Sequence, residues 1–357
     1  MTAGRPPRSP RSHWGQPLRL LLRLAVMGIG LGVLAGTGLR LLAPHLAQGA
    51  VEAPGLDADL TAGGAGKGSR AMPMGQFEPR QELTALSARW AKLAATQKDL
   101  KSSAFLLVLD DGRFAQLNPD QPMPAASSIK TPILLASLEE VDAGKLRWNQ
   151  PLQLTKELVG GGAGWMANKP VGTRFPFFEA ATEMIRVSDN SATNLLIQQL
   201  GGKTGLNARF QAMGLSATVV NNWLPDLEGT NTTSSRDLAR SIALVDTGEA
   251  LSPRARDLFR EIMGTSRTNT LIPLGLLQGL GKDSADPDSE LLSYGITVYN
   301  KTGDIGIAYA DGALIQLPNG QRAVAAFMVK GPFNDIRSTD LIRAMAGAVT
   351  QTLVGRK

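Results

Sequence analysis

Residues 125–146 read AASSIKTPILLASLEEVDAGKL, and the reading of this stretch organises the rest of the chain. From Ile129 to Val141 it is an apolar helix, and Pro132 belongs in the first turn of that helix, where its missing N–H costs nothing. Ser127 and Lys130, three residues apart, then face the same way within contact range. At a helix start, free backbone N–H groups and the positive dipole end favour developing negative charge. A lysine held there in apolar surroundings loses proton affinity and can serve as a base toward the serine hydroxyl. The competing description is a capping serine with a lysine in solvent. Against it, this is the only S-x-x-K in the chain.

On the N-terminal side, Gln81 to Leu100 carries Leu83, Leu86, Trp90 and Leu93 at helical spacing. Ala104 to Asp110 reads as a strand, Asp111-Gly112 as a tight turn and Arg113 to Leu117 as the returning strand of a hairpin. On the C-terminal side, helical stretches joined by Gly/Pro/Asn loops continue to about residue 290. Strand-like runs return at Tyr294–Asn300, Ile305–Gln316 and Ala323–Val329. A final amphipathic helix carries Ile336, Leu341, Ile342 and Met345. Strands at both ends with helices between them predict an α+β fold, in which one sheet built from the two termini is interrupted by an inserted helical lobe. The groove between two such lobes is a common place for chemistry.

Two more motifs fall in that frame. Ser188-Asp189-Asn190 lies between two helical runs and either caps the second one or places a proton-shuttling hydroxyl, Ser188, and an amide, Asn190, near a substrate. Lys301-Thr302-Gly303 follows the strand-like run ending at Asn300. There Lys301 offers positive charge, Thr302 a hydroxyl for a carboxylate, and Gly303 close approach of backbone. A second copy of the tripeptide, Lys203-Thr204-Gly205, sits in a helix-connecting region and is read as chance.

Composition narrows the chemistry. The chain has 357 residues, no cysteine, and two histidines, His13 and His45. A Ser-His-Asp triad, a Cys-His dyad and the usual zinc sets are therefore excluded downstream of residue 45. The net charge is +6, and Arg5, Arg8, Arg11, Arg19, Arg23 and Arg40 account for it, because no acidic residue lies in the first 50 positions. The basic character thus belongs to a terminal segment and gives no support to nucleic-acid binding. Behind those arginines runs the uncharged stretch Leu24–Leu39, which with Leu41, Leu42 and Ala43 reaches the roughly 20 residues that cross a bilayer. An anchor with its N-terminus in the cytoplasm and a signal peptide cleaved near Ala47-Gln48-Gly49 are both consistent. Export to the periplasm or its membrane face is expected either way. Residues 1–47 form this targeting region, 48–78 a Gly/Ala-rich linker, and 79–357 the globular domain.

Taken together, the order S-x-x-K, S-D-N, K-T-G is the set found in class A β-lactamases and penicillin-binding proteins. Residues 79–357 resemble the class A β-lactamase-like serine hydrolases, most closely in AASSIKTPILLASLEEVDAGKL, VSDNSATNLLIQQLGG and TVYNKTGDIGIAYADGALI. The resemblance implies an antiparallel sheet flanked by helices beside an all-helical lobe, working as a monomer without metal or organic cofactor. It assigns Ser127 as the acylated nucleophile, Lys130 as its base, Ser188 as proton donor to the leaving nitrogen and Asn190 as an amide contact. Lys301, Thr302 and Gly303 would meet the substrate carboxylate, and the N–H groups of Ser127 and Asp304 would form the oxyanion hole.

The pattern breaks at one place. Class A members position the deacylating water with a glutamate, in a loop that here reads WLPDLEGTNTTSSRDL from Trp223. Aligning the tryptophan puts Leu224 at the glutamate position. Glu228 or Asp226 is the remaining acid, each also an ordinary loop or capping residue. Fast acylation with slow deacylation is the expectation. The substrate would be a β-lactam or, for a D-alanyl-D-alanine peptidase, a peptidoglycan peptide; a tethered, non-catalytic binding homologue is the third reading. Trp165, after a glycine run, is either an aromatic lip or an ordinary half-buried residue. Arg267 and Arg322 are candidate carboxylate ligands or surface arginines.

Overall fold

Strand Lys101–Val108 is buried at every position after its first, which an antiparallel strand shows only when both faces of its sheet are covered. The computed structural model describes residues 77–355; the targeting region and nearly all of the linker lie outside the described residues. Among these, no helix is long and apolar enough to cross a membrane.

In chain order the elements are β1 (Gln81–Glu82), α1 (Thr84–Ala95), β2 (Lys101–Val108), β3 (Arg113–Leu117), β4 (Met123–Pro124) and, after a 3₁₀ turn at Ala126–Ile129, α2 (Lys130–Asp142). Then come β5 (Pro151–Gln153), β6 (Arg174–Pro176), α3 (Phe177–Arg186), α4 (Asn190–Gln199), α5 (Gly202–Ala212), β7 (Thr232–Thr233), α6 (Ser235–Asp246) and α7 (Pro253–Met263). Finally α8 (Ile272–Gly279), α9 (Pro287–Ser293), β8 (Thr297–Asp304), β9 (Ala308–Gln316), β10 (Arg322–Lys330) and α10 (Ile336–Leu353) complete the fold.

The main sheet has the order β1-β3-β2-β10-β9-β8. It is antiparallel apart from the short parallel pairing of β1 with β3. On one face α1 and α10 bury Leu86, Trp90, Ile342 and Met345, joined by Ile272 and Leu276 of α8. Helices α8 and α10 touch through glycine: a Cβ on Gly279 would lie 2.4 Å from the Gly347 carbonyl oxygen. On the other face Leu238, Ala239 and Ile242 of α6 cover Phe105, Leu107, Leu314 and Val324. The helical lobe has its own core around α2, with Ile133, Leu134 and Leu138 against Phe177, Met184, Leu196, Phe210 and Phe259.

The architecture expected from the chain's two ends is the one formed, with local differences. The first helix is shorter than Gln81–Leu100, because Gln81 and Glu82 pair with β3 and the chain turns after Ala95 toward β2. Tyr294 and Gly295 close α9 rather than open a strand, since both N–H groups bond back to Leu291 and Leu292 carbonyls. The strand instead runs on through Lys301-Thr302-Gly303 to Asp304, held by an unbroken ladder to β9. Ile336 stands exposed on α10, whereas Leu341, Ile342 and Met345 are buried. The helical lobe also includes the ribbon β5–β6, and Lys203-Thr204-Gly205 lies inside α5.

Trp90 tests this core. It is fully buried, donates from Nε1 to the Met345 carbonyl at 2.9 Å and meets Phe327 edge-on at 5.4 Å. Trp90→Ala should lower the stability measured by denaturant unfolding by about 3–5 kcal/mol.

Candidate active site

The 3₁₀ turn at Ala126–Ile129 places Ser127 just before the start of α2, and Lys130 follows in the first helical turn with no solvent exposure. Its Nζ lies 3.1 Å from Ser127 Oγ, 2.9 Å from Ser188 Oγ, 2.9 Å from Asn190 Oδ1 and 2.6 Å from the Ser188 carbonyl oxygen. An ammonium group has three protons for four such oxygens, whereas a neutral amine can donate twice and accept from one hydroxyl. Burial, and then the charge of Lys301, push the Lys130 proton affinity well below that of an ordinary lysine, with Asp189 opposing.

Two features of the loop between α3 and α4 place the second group. Ser188 has φ +61°, a left-handed conformation unusual for serine, which turns both its carbonyl and its hydroxyl toward Lys130. Asp189 caps α4 by accepting from Ala192 N at 2.9 Å. Its other oxygen accepts from Trp165 N and Met166 N at 2.7 and 2.8 Å. Asn190 divides its amide, Oδ1 toward Lys130 and Nδ2 donating to the Gly161 carbonyl at 2.8 Å. The motif therefore both caps a helix and faces the lysine. Trp165 is half-buried, its indole N–H donating to Glu183 at 2.8 Å and its ring edge-on to Phe175.

Strand β8 supplies the third wall. Lys301 is fully buried and donates to its neighbour's carbonyl, Thr302 O, at 2.7 Å. Burial lowers its pKa to about 8, against the pull of Asp311. Thr302 Oγ1 donates to the Thr268 carbonyl at 3.3 Å. Gly303 is irreplaceable on steric grounds: a Cβ there would lie 2.7 Å from Ser127 N and 2.6 Å from Ser128 N. That approach sets the strand beside the Ser127 turn, where the Ser128 N–H donates to the Ala125 carbonyl at 3.1 Å.

Leu224 closes the helical side. It is buried, and its backbone is clamped by the Asn194 amide, which donates to Leu224 O at 2.8 Å and accepts from Leu224 N at 2.9 Å. Gly160 fits between this carbonyl and the Cβ and backbone of Asn190.

Residues 85–353 match the family described as the beta-lactamase enzyme family. The chain belongs to that family. A β-lactamase from Amycolatopsis lactamdurans is 26% identical over 77% of this chain and 85% of its own length. One from Bacillus licheniformis is 27% identical over 76% and 84%. Among solved structures, PBP-A superposes with TM-score 0.71 at 41% identity, covering 78% of this chain and 99% of its own. An ancestral class A β-lactamase superposes with TM-score 0.65 at 25% identity, covering 75% and 100%.

In this β-lactamase-family chain the remaining candidates fall away from the central cluster. Asp226 serves its own loop, accepting from Thr230 Oγ1 at 2.9 Å and Asn231 N at 2.6 Å. Glu228 is exposed on that loop, and its carboxylate bonds to none of the described site residues. Arg322 starts β10 and is held by Asp110 and Asp246 at 2.7 and 2.9 Å, so it is an ion-pair residue and not a substrate ligand. Arg267 is exposed, one residue before Thr268. No cluster of His, Cys, Asp or Glu suited to a metal occurs among the described residues.

Sequence reasoning passed over Asn194, Asn300, Thr268 and Asp311. Asn194 was legible as the residue one helical turn after Asn190, and Asp311 as an acid inside an otherwise apolar strand. Gly303→Ala provides the test of the contact between strand and turn. It should cost about 1–3 kcal/mol by denaturant unfolding, the range for overpacking a closed site.

Proposed function

We propose that this protein is a serine acyltransferase-type hydrolase that opens β-lactam amides through a Ser127 acyl-enzyme and releases the product slowly. The observation that carries the reading is the buried Lys130 amine in contact with Ser127, Ser188 and Asn190 at once. In the proposed cycle Ser127 Oγ attacks the ring carbonyl and its proton passes to neutral Lys130. The oxyanion sits against the N–H groups of Ser127 and Asp304. The carbonyl–nitrogen bond then breaks as Ser188 gives its proton to the leaving nitrogen and is reprotonated from Lys130. Lys301 and Thr302 receive the substrate carboxylate.

Leu224 supports slow release, because an aliphatic side chain at the position expected to hold the water-positioning carboxylate cannot deprotonate water. Of the neighbours, PBP-A has also been solved as a leucine-to-glutamate variant in an acyl-enzyme complex with penicillin G, at the same 41% identity to this chain. That supports acylation by penicillins here and favours, as second reading, a D-alanyl-D-alanine peptidase acting on peptidoglycan peptides with the same residues. A protein tethered or secreted on the periplasmic side of the inner membrane accords with the N-terminal arginines and apolar run.

Intact mass after exposure to benzylpenicillin is the direct test. A persistent adduct is expected on the wild-type protein and none on Ser127→Ala. Leu224→Glu should shorten adduct lifetime at least ten-fold, and Glu228→Gln should leave it unchanged. An adduct cleared within seconds by the wild-type protein would refute slow deacylation.

The pH profile follows from the two lysines. Lys130 acts only when neutral, so the second-order acylation constant rises with pH along its acid limb. Lys301 acts only when charged, so the constant falls as pH rises through about 8. For a penicillin ester without a carboxylate, the alkaline fall should be absent.

A further inference from the structure

Asp311 is a fully buried acid that none of these steps uses. It stands on β9 directly across from Thr302 of β8. Because side chains alternate along a strand, Asn300 and Thr302 share its face. Its carboxylate accepts from Asn300 Nδ2 at 3.0 and 3.1 Å and from the backbone N–H of Ile272, the first residue of α8, at 2.9 Å. Asn300 Nδ2 also donates at 2.8 Å to the Thr268 carbonyl, the same oxygen that takes the Thr302 hydroxyl. One connected set of hydrogen bonds thus runs from Asp311 through Asn300 and Thr268 to Thr302.

Packing alone does not explain a carboxylate here. Burial raises its pKa to about 7, opposed by the bonds from Ile272 and Asn300 and by the charge of Lys301. An apolar residue would avoid that penalty but leave the Ile272 N–H and the Asn300 amide without this acceptor.

We propose that Asp311 is a positioning residue for the substrate-carboxylate subsite. It fixes the Asn300 amide, which also donates to Thr302 Oγ1 at 3.4 Å, and so holds the Thr302 hydroxyl in place. Asp311 touches no substrate; it acts through Thr302, which does. The idea rests on the carboxylate-binding role given above to Lys301 and Thr302.

The test is non-covalent binding in the Ser127→Ala background, where no adduct can form, using benzylpenicillin and its methyl ester as probes in calorimetry. Adding Asp311→Asn should weaken binding of the acid about ten-fold and leave the ester's dissociation constant within two-fold. Asn300→Ala, which removes the linking amide but leaves the Asp311–Ile272 bond, should shift the acid-to-ester ratio in the same direction. It also provides the measurement if Asp311→Asn does not fold. A parallel loss for both probes, or an unchanged ratio in a folded variant, would overturn the proposal. Acylation of the Ser127 protein is read separately by mass, so failure of the catalytic reading is told apart from failure of this one.

Discussion

Lys130 has no contact with solvent, and four oxygen atoms from three residues surround its nitrogen. Burying an ammonium ion is among the most expensive things a fold can do, and a group so placed gives up its proton instead. The Lys130 amine, its proton affinity lowered by burial, lies 3.1 Å from the Ser127 hydroxyl. Lys301, a second buried lysine, presses in the same direction through its charge. Much of the surrounding structure can be understood as holding these two lysines apart from water without letting either lose its partners.

Three separate parts of the chain meet to do this. The nucleophile turn comes from the start of the helical lobe, the Ser188–Asn190 loop from its middle, and the Lys301–Gly303 strand from the far side of the sheet. Close contact among them depends on residues with little or no side chain. Gly303 lets the strand approach the backbone of Ser127, and Gly160 fits between Leu224 and Asn190. Asp189 works at a longer reach, tying the Trp165 loop to the α4 N-terminus. The hydrophobic clusters of sheet and lobe provide the rigidity, and the glycines provide the fit.

Leu224 is held through its backbone and not through its side chain. The Asn194 amide bonds both the N–H and the carbonyl of Leu224, while the aliphatic Leu224 side chain joins the buried core of the helical lobe. Acid groups nearby do not replace it, because Asp226 is spent on its own loop and Glu228 stands in solvent.

The sequence by itself determined the chemistry's vocabulary. Without histidine or cysteine past residue 45, proton transfer is left to Lys, Glu, Asp or Tyr, and motif order together with helix and strand periodicity marked Ser127, Lys130, Ser188 and Lys301 and outlined the fold. Those signals are local, since they depend on spacing of three or four residues and on runs of apolar side chains. Tertiary structure decided the rest. Arg322 became the partner of Asp246, far away in sequence, instead of a substrate ligand. Asp311 turned out to lie opposite Thr302, and Asn194 to hold Leu224. These pairings depend on strand register and lobe packing, which bring distant residues within hydrogen-bond range, and no local pattern in the chain encodes which distant residue that will be.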